Sequence, residues 1–435
     1  MTTSSQAPQQ QDVLATYKAA TYFLDSLINL PVQHDYLKAH TSPAIYLKRT
    51  QYFLDLVNNP EQGGRYIHIA GTAGKGTVSN LIQKMLLNQG HKVGVYTSPF
   101  LTTAIEKIKV DDLYISPQTF VTILEGMKPA INQAYRLSPY GGPSYFEIML
   151  AIGLTYFQQQ QCDWIILEVG LGGRYDATNI IPDPKVTAIT NIDYDHTELL
   201  GRSLTKIAYA KAGIIKTNSH FFTTEQRPHL LKQFKTICSQ VEATYHHVST
   251  KGQDRTSANQ ALVTKIGHYL EVDQYHIETA FKDFRLPGRF EVLQNNPQVI
   301  LDGAHNAVKA QTTVANLKMC QYRSLYLIIG LKQDKETEAI LSLLVPLAHH
   351  TFVTRFQVAN YRCVHPVTLF AQAQNYCTDK ASVEMFLDPH QALQKVLKMA
   401  DPQDLVLITG SFYLAGELRT HWYDEDRILE TRCSF

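Results

Sequence analysis

Seven consecutive residues, Gly71-Thr72-Ala73-Gly74-Lys75-Gly76-Thr77, combine the groups that phosphate chemistry needs. Glycines let a tight turn aim backbone N–H groups at an anion, and a lysine reaches the outer phosphates. A hydroxyl at the end of the run can hold Mg²⁺. The spacing departs from the strict Walker form, because Ile69 stands where that form has its first glycine. An ordinary turn before a helix has no use for a lysine between two glycines.

Other candidates sit where apolar runs end. Ser98 follows the run Val93 to Tyr96 and is placed to share the metal of Thr77, although a serine before Pro99 also suits a plain turn. Glu168 closes the apolar run that begins at Asp163. A carboxylate there is costly unless a cation or metal meets it, and Arg174 is the competing partner. The stretch Glu168 to Asn179 holds three glycines, Arg174 and Asp176 around one turn, which suits a loop that wraps a ligand. His196 also follows a run, Val186 to Ile192. Lys211 lies on a helix, where a lysine alone signals little. Asp302 to Asn306, and Gly410-Ser411, again follow apolar runs.

Position matters because open α/β sheets place ligands beyond the carboxyl ends of their strands. The periodicity predicts a strand over Tyr66 to Ile69 and a helix over Val78 to Gln89, so the glycine run lies between strand and helix. Helices are expected over Ala15 to Leu30, Ile45 to Val57, Pro117 to Met127, Tyr145 to Gln158, Leu204 to Ile215 and Arg255 to Leu270. Pro31 to His40 reads as a loop, and Lys107 to Ile115 as a short hairpin. A further short strand is His220 to Thr223. The pattern breaks at Leu286-Pro287-Gly288, which marks a domain boundary. Beyond it, strands Gln298–Leu301, Leu325–Ile329, Thr351–Thr354, Val383–Leu387 and Leu405–Thr409 alternate with helices.

The expected fold is therefore α/β. A P-loop-type ATPase domain with a mainly parallel sheet covers 15–286, and a smaller Rossmann-like domain covers 287–435, with a flexible tail over 1–14. A chain of 435 residues is long enough for two cores. A formal net charge of +1 gives no global pull toward nucleic acid or membrane. No apolar run is long enough to span a bilayer. Six scattered cysteines, with no Cys-x-x-Cys, fit a reduced cytoplasmic setting.

Taken together, the blocks resemble the Mur ligase superfamily, and most closely its folylpolyglutamate synthase/dihydrofolate synthase branch. They are Gly71 to Thr77, Thr97 to Pro99, Ser144 to Glu147, Glu168 to Asn179, Asp195 to Thr197, Lys211 to Lys216, Pro287 to Glu291, Leu301 to Asn306 and Gly410-Ser411. They occur in the family's order over nearly the whole chain. The resemblance implies ATP-dependent ligation of L-glutamate to a folate or pteroate carboxylate through an acyl phosphate.

By the same resemblance, Gly71, Thr72, Gly74, Lys75, Gly76 and Thr77 hold phosphates, and Thr77, Ser98 and Glu168 surround one Mg²⁺. His196 binds a second, with Lys211 beside it as a carbamylated lysine. Asn259, Arg289 and Asp302 fix the nucleotide, and His305 lies near the phosphates. Ser144, Arg174, Asp176 and Ala177 fall at the pterin-bearing substrate. A monomer with small-molecule partners is implied. Ala73, Phe100, Lys107 and Ala307 depart from the family's usual Asn, His, Arg and Pro. Two other readings compete: a relative acting on a cell-wall precursor, and a nucleotide binder without catalysis. The few residues ahead of the glycine run speak against the first, and intact Lys75, Thr77, Glu168, His196 and Lys211 against the second.

Overall fold

The computed structural model describes residues 7–27, 43–282, 284–333, 336–357, 362–378 and 382–435. Contacts divide the chain into two compact units. One holds Met1–Phe100, Ala104–Phe284 and Leu429–Cys433; the other holds Leu101–Thr103, Arg285–Ile428 and Ser434–Phe435.

In the first unit the strands are β1 (Tyr66–Ala70), β2 (Val93–Tyr96), β3 (Ile108–Val110), β4 (Leu113–Tyr114), β5 (Trp164–Glu168), β6 (Pro184–Ile189), β7 (His220–Thr223) and β8 (Thr244–His247). Their order across the sheet is β4-β3-β2-β5-β1-β6-β7-β8. Strands β2, β5, β1, β6, β7 and β8 run parallel, and β3 and β4 form the antiparallel edge. The central strands are buried on both faces, as a sheet covered by crossover helices requires. Ile67 and Ile69 pack with Val78, Leu81, Ile82 and Met85 of the helix Lys75–Asn88 on one face. Tyr66 packs on the other, and His68 meets the Thr178 hydroxyl at 2.8 Å.

The second unit has a six-stranded sheet in the order β13-β12-β11-β14-β10-β9. Its strands are β9 (Glu291–Asn295), β10 (Gln298–Leu301), β11 (Leu325–Ile329), β12 (His350–Val353), β13 (Ser382–Met385) and β14 (Leu405–Thr409). All neighbours pair in parallel except β9, an antiparallel edge on β10. Arg419 is fully buried here. Its guanidinium meets the Glu291 carboxylate at 2.8 Å and donates to the Ser434 carbonyl, tying the chain end to β9.

The fold class is as expected, with several local corrections. The tail expected over 1–14 is instead helical from Ala7, in a helix that runs to Ser26. Pro8 is no obstacle, because it falls in the first turn, where its missing N–H has no helical partner. The loop expected at 31–40 lies outside the described residues. The helix that starts at Pro117 continues past Met127 and through Pro129 to Leu137, carried by its buried face at Ile131 and Ala134. Strand β8 has no counterpart in the expectation, since as an exposed edge it carries no apolar run.

Candidate functional site

The glycine run sits at the carboxyl end of β1 and opens the helix Lys75–Asn88. Gly74 has φ of 85°, the left-handed region glycine adopts freely. A side chain there would press on the Asn259 amide, 2.8 Å from the ideal Cβ position, so Asn259 packs directly on the loop. Gly71 has no room either, because a Cβ would fall 1.9 Å from the Thr190 hydroxyl.

The loop is held by the segment that follows β6. Thr72 N donates to the Asn191 carbonyl at 3.0 Å, and Ala73 N to the Asn191 side chain at 2.9 Å. Thr190 Oγ1 donates to the Ala73 carbonyl at 2.6 Å, and Asp193 N to the Thr72 hydroxyl at 2.9 Å. The turn is thus ordered by its own neighbours, with the N-terminal end of a helix behind it.

Two lysines converge on this turn. Lys75 Nζ donates to the Gly71 carbonyl at 3.2 Å, and Lys211 Nζ to the same oxygen at 3.0 Å. Lys211 ends the helix Leu204–Lys211 and is buried. Burial first, and then the Lys75 charge, push its amine down to about 7, against the pull of Asp195 and Asp176. The two amines thus share one acceptor, the Gly71 carbonyl, at the mouth of the glycine turn.

Ser98 and Glu168 are also brought together. Glu168 Oε2 accepts from Ser98 N at 3.1 Å and lies 3.4 Å from where a Gly76 side chain would begin. The carboxylate therefore lies over the first turn of the helix carrying Thr77. Arg174, the competing partner, has its guanidinium 4.1 Å over the Tyr209 ring. A cation that sequence reasoning noted only as a departure, with no role, is Lys107, which is buried among the rings of Phe100, Tyr145 and Phe146 at 5.8, 5.1 and 5.6 Å. Burial lowers its amine to about 8, opposed by Glu168 and Asp25. Its only sequence signal was that it replaces an arginine beside Glu106.

His196 adopts left-handed backbone, φ 48°, with Asp195 and Glu198 carboxylates 3.8 and 3.7 Å from its ring nitrogens. Among the described residues no three His, Cys, Asp or Glu side chains form a group fit for a metal. A metal ligand set built on Glu168 would accordingly draw on the Thr77 and Ser98 hydroxyls.

Ser144, Arg174, Asp176 and Ala177 all line one cavity of about 710 Å³ in the first unit. Ser144 caps the helix Tyr145–Gln159 and exchanges hydrogen bonds with Glu147. Glu147 in turn pairs with the buried Arg49 at 2.9 Å. Asp176 is buried and accepts from Leu171 N and Thr178 N, so its oxygens brace the loop of the cavity wall. Burial raises its carboxyl above the ordinary value in spite of those bonds.

In the second unit Asp302 ends just beyond β10. It accepts from Phe290 N, Ala304 N and the Thr313 hydroxyl, each at 2.9 Å. Burial raises its carboxyl, and Arg289 opposes the shift. The Arg289 guanidinium lies 4.1 Å over the Phe412 ring, which the His305 ring meets edge-on. His305 Nδ1 faces the Gly303 carbonyl at 2.9 Å, and Lys309 Nζ faces Nε2 at 2.9 Å. Lys309 was not singled out from sequence; its place one helical turn after His305 was the available signal.

Known proteins resemble this chain over most of its length. The Mur ligase middle domain matches residues 69–295, and the Mur ligase glutamate ligase domain matches 288–412. The chain is 28% identical over 425 residues to the dihydrofolate synthase/folylpolyglutamate synthase of Bacillus subtilis, covering 89% of this chain and 96% of that one. A Mycobacterium tuberculosis folylpolyglutamate synthase complexed with ADP shares the fold at a TM-score of 0.83 and 24% identity, over 94% of this chain and 99% of that one. A bifunctional folylpolyglutamate synthase/dihydrofolate synthase with Mn, AMPPNP and L-glutamate bound is similar at a TM-score of 0.75 and 25% identity, over 92% and 97% of the two chains.

Proposed function

The chain belongs to the Mur ligase family, and on that premise we propose that it is an ATP-dependent ligase adding L-glutamate to a folate-type carboxylate. The observation that carries this reading is the pair Lys75 and Lys211 on one carbonyl of a glycine turn, in the same unit as a large cavity lined by Arg174 and Asp176.

The acceptor carboxylate attacks the γ-phosphorus of ATP, and the bond to the bridging oxygen breaks, releasing ADP and an acyl phosphate. The glutamate amine then adds to the acyl carbon, loses a proton, and expels inorganic phosphate. Both steps bring anions together, so the protein must supply positive charge ahead of time. Gly71 to Thr77 turn their backbone around the phosphates, and Lys75 neutralises the outer ones. Thr77, Ser98 and Glu168 are the residues that would hold Mg²⁺, which when bound withdraws charge from the phosphoryl oxygens. We assign Asn259, Arg289 and Asp302 to the nucleotide and His305 to the phosphate region.

In this reading His196, beside Asp195 and Glu198, would hold a second Mg²⁺, and Lys211 would carry a carbamate. An amine brought down to about 7 has a substantial unprotonated share at neutral pH, as reaction with CO₂ requires. The nitrogen lone pair attacks CO₂ and a proton leaves, giving a carbamate anion. ATP hydrolysis coupled to incorporation of labelled glutamate, with dihydropteroate and tetrahydrofolate offered separately, tests the assignment. Incorporation with at least one acceptor is expected. No incorporation with either would overturn it.

A further inference from the structure

The acceptor cavity has a second wall that none of the assignments above uses. Besides Ser144, Phe146 and the loop Gly170 to Ala177, the cavity is lined by Leu199, Leu200, Lys206 and Tyr209. Tyr209 is 53% exposed, whereas Ile207 and Ala208 on the same helix are fully buried.

The ring is not free to wander. The Arg174 guanidinium covers it at 4.1 Å and also donates to the Tyr209 carbonyl at 3.5 Å. Arg174 itself is fixed by its backbone, whose N–H donates to the Ala210 carbonyl at 2.8 Å. The close approach of loop and helix depends on glycines on both sides. A Cβ at Gly173 would lie 2.8 Å from the Lys211 carbonyl, and one at Gly213 2.3 Å from Arg174 Cα. The guanidinium is therefore held over the phenol ring on the cavity wall.

A rigid, half-exposed ring loses little freedom when a flat ligand packs on it. Aromatic stacking of this kind is directional and is lost with an aliphatic side chain of similar size. The ligand class that fits has a flat conjugated ring and carries carboxylate, since Arg174 and Lys206 flank the platform.

We propose that Tyr209, backed by Arg174, is a specificity-determining residue that stacks a flat ring of the acceptor. This rests on the folate-ligase reading above. Either the pteridine or the p-aminobenzoyl ring supplies the required plane, and truncated ligands separate them.

The test compares Tyr209→Leu and Tyr209→Phe with the parent for glutamate incorporation and for acceptor binding by calorimetry. In Tyr209→Leu the KM for the acceptor is expected to rise roughly three- to ten-fold, the range that aromatic stacking gives, while the KM for ATP moves less. Tyr209→Phe, which keeps the plane, recovers most of that loss. Competition by dihydropterin or by p-aminobenzoylglutamate that weakens in Tyr209→Leu identifies the stacked ring. A parent-like acceptor KM in Tyr209→Leu, equal losses in Leu and Phe, or competition by both fragments unchanged in Tyr209→Leu would overturn the proposal. Failure of the parent to incorporate glutamate would instead overturn the functional reading.

Discussion

Lys75 and Lys211, 136 positions apart in sequence, donate to the same carbonyl oxygen, that of Gly71. Two ammonium groups on one acceptor repel each other, and the repulsion grows as water is excluded. That is tolerable in a protein that either fills the turn with anion or lets one amine go neutral. Lys211 is the amine that yields, because it is the more buried of the two.

The pH dependence of stability follows with a definite sign. In the unfolded chain Lys211 titrates near 10.5, and in the folded chain at about 7. Between those values the unfolded state binds more protons, so stability rises with pH through this window. Below about 7 the amine is charged in both states and the full cost of burying it is felt. Lys211→Met removes the effect. The melting temperature of the parent relative to Lys211→Met should therefore climb between pH 7 and pH 10 in the absence of ligands. A flat difference across that range would count against a depressed Lys211.

Removing Lys75 should leave the fold intact and remove ligation. Lys75→Met loses the cation that meets the outer phosphates, a change that in comparable anion sites costs about 10²–10³ in turnover. It also relieves the repulsion on Lys211, whose titration should move upward. Turnover near the parent's would refute the phosphate role of Lys75.

Gly71 tests whether the loop must keep its close fit. An alanine there has its Cβ 1.9 Å from the Thr190 hydroxyl, in a backbone with φ of 146° that side chains rarely adopt. Gly71→Ala should therefore shift the turn and raise the KM for ATP. Thr190→Ala clears the contact but also loses the hydrogen bond to the Ala73 carbonyl. The double variant should recover only part of the affinity, since the backbone strain stays. Full recovery, measured by nucleotide titration, would mean the contact alone mattered.

The second unit offers a stability test separate from chemistry. Arg419 and Glu291 are both buried and form a close ion pair. Arg419→Met leaves Glu291 without its cation and is expected to cost about 3–5 kcal/mol by denaturant unfolding. Adding Glu291→Gln should return part of this, because the stranded charge is then gone. A single variant as stable as the parent would show that the pair contributes nothing.

Much of this was legible in sequence because strands β1, β2, β5 and β6 are apolar runs and their ends carry the chemistry. Gly71 to Thr77, Ser98 and Glu168 could be placed at strand ends from that pattern alone. Lys107 could not, since its neighbours Phe100, Tyr145 and Phe146 come from separate stretches that only tertiary packing assembles. Nor could the platform of Arg174 and Tyr209, which depends on glycines that let a loop and a helix touch. The early start of the first helix was missed because a Gln-rich, weakly apolar stretch shows no face for periodicity to reveal.

The least obvious member of the site allows the sharpest test. A cation at Lys211 beside bound metal would repel it, whereas a carbamate on the same nitrogen is an anion able to orient metal. The proposed carbamate is supported by an amine that burial, and then the Lys75 charge, press toward its neutral form. Lys211→Ala should lose ligation, and acetate, a small carboxylate able to enter the space left, should restore part of it. Lys211→Arg keeps only the positive charge and cannot form the adduct, so it should stay inactive. Mass spectrometry after trapping with an alkylating oxonium salt should find the carbamate mass on Lys211 in the parent and lose it in CO₂-depleted buffer. Full activity in Lys211→Arg, or an unmodified Lys211 in fully active protein, would refute the carbamate and leave the amine as a plain partner for Asp195.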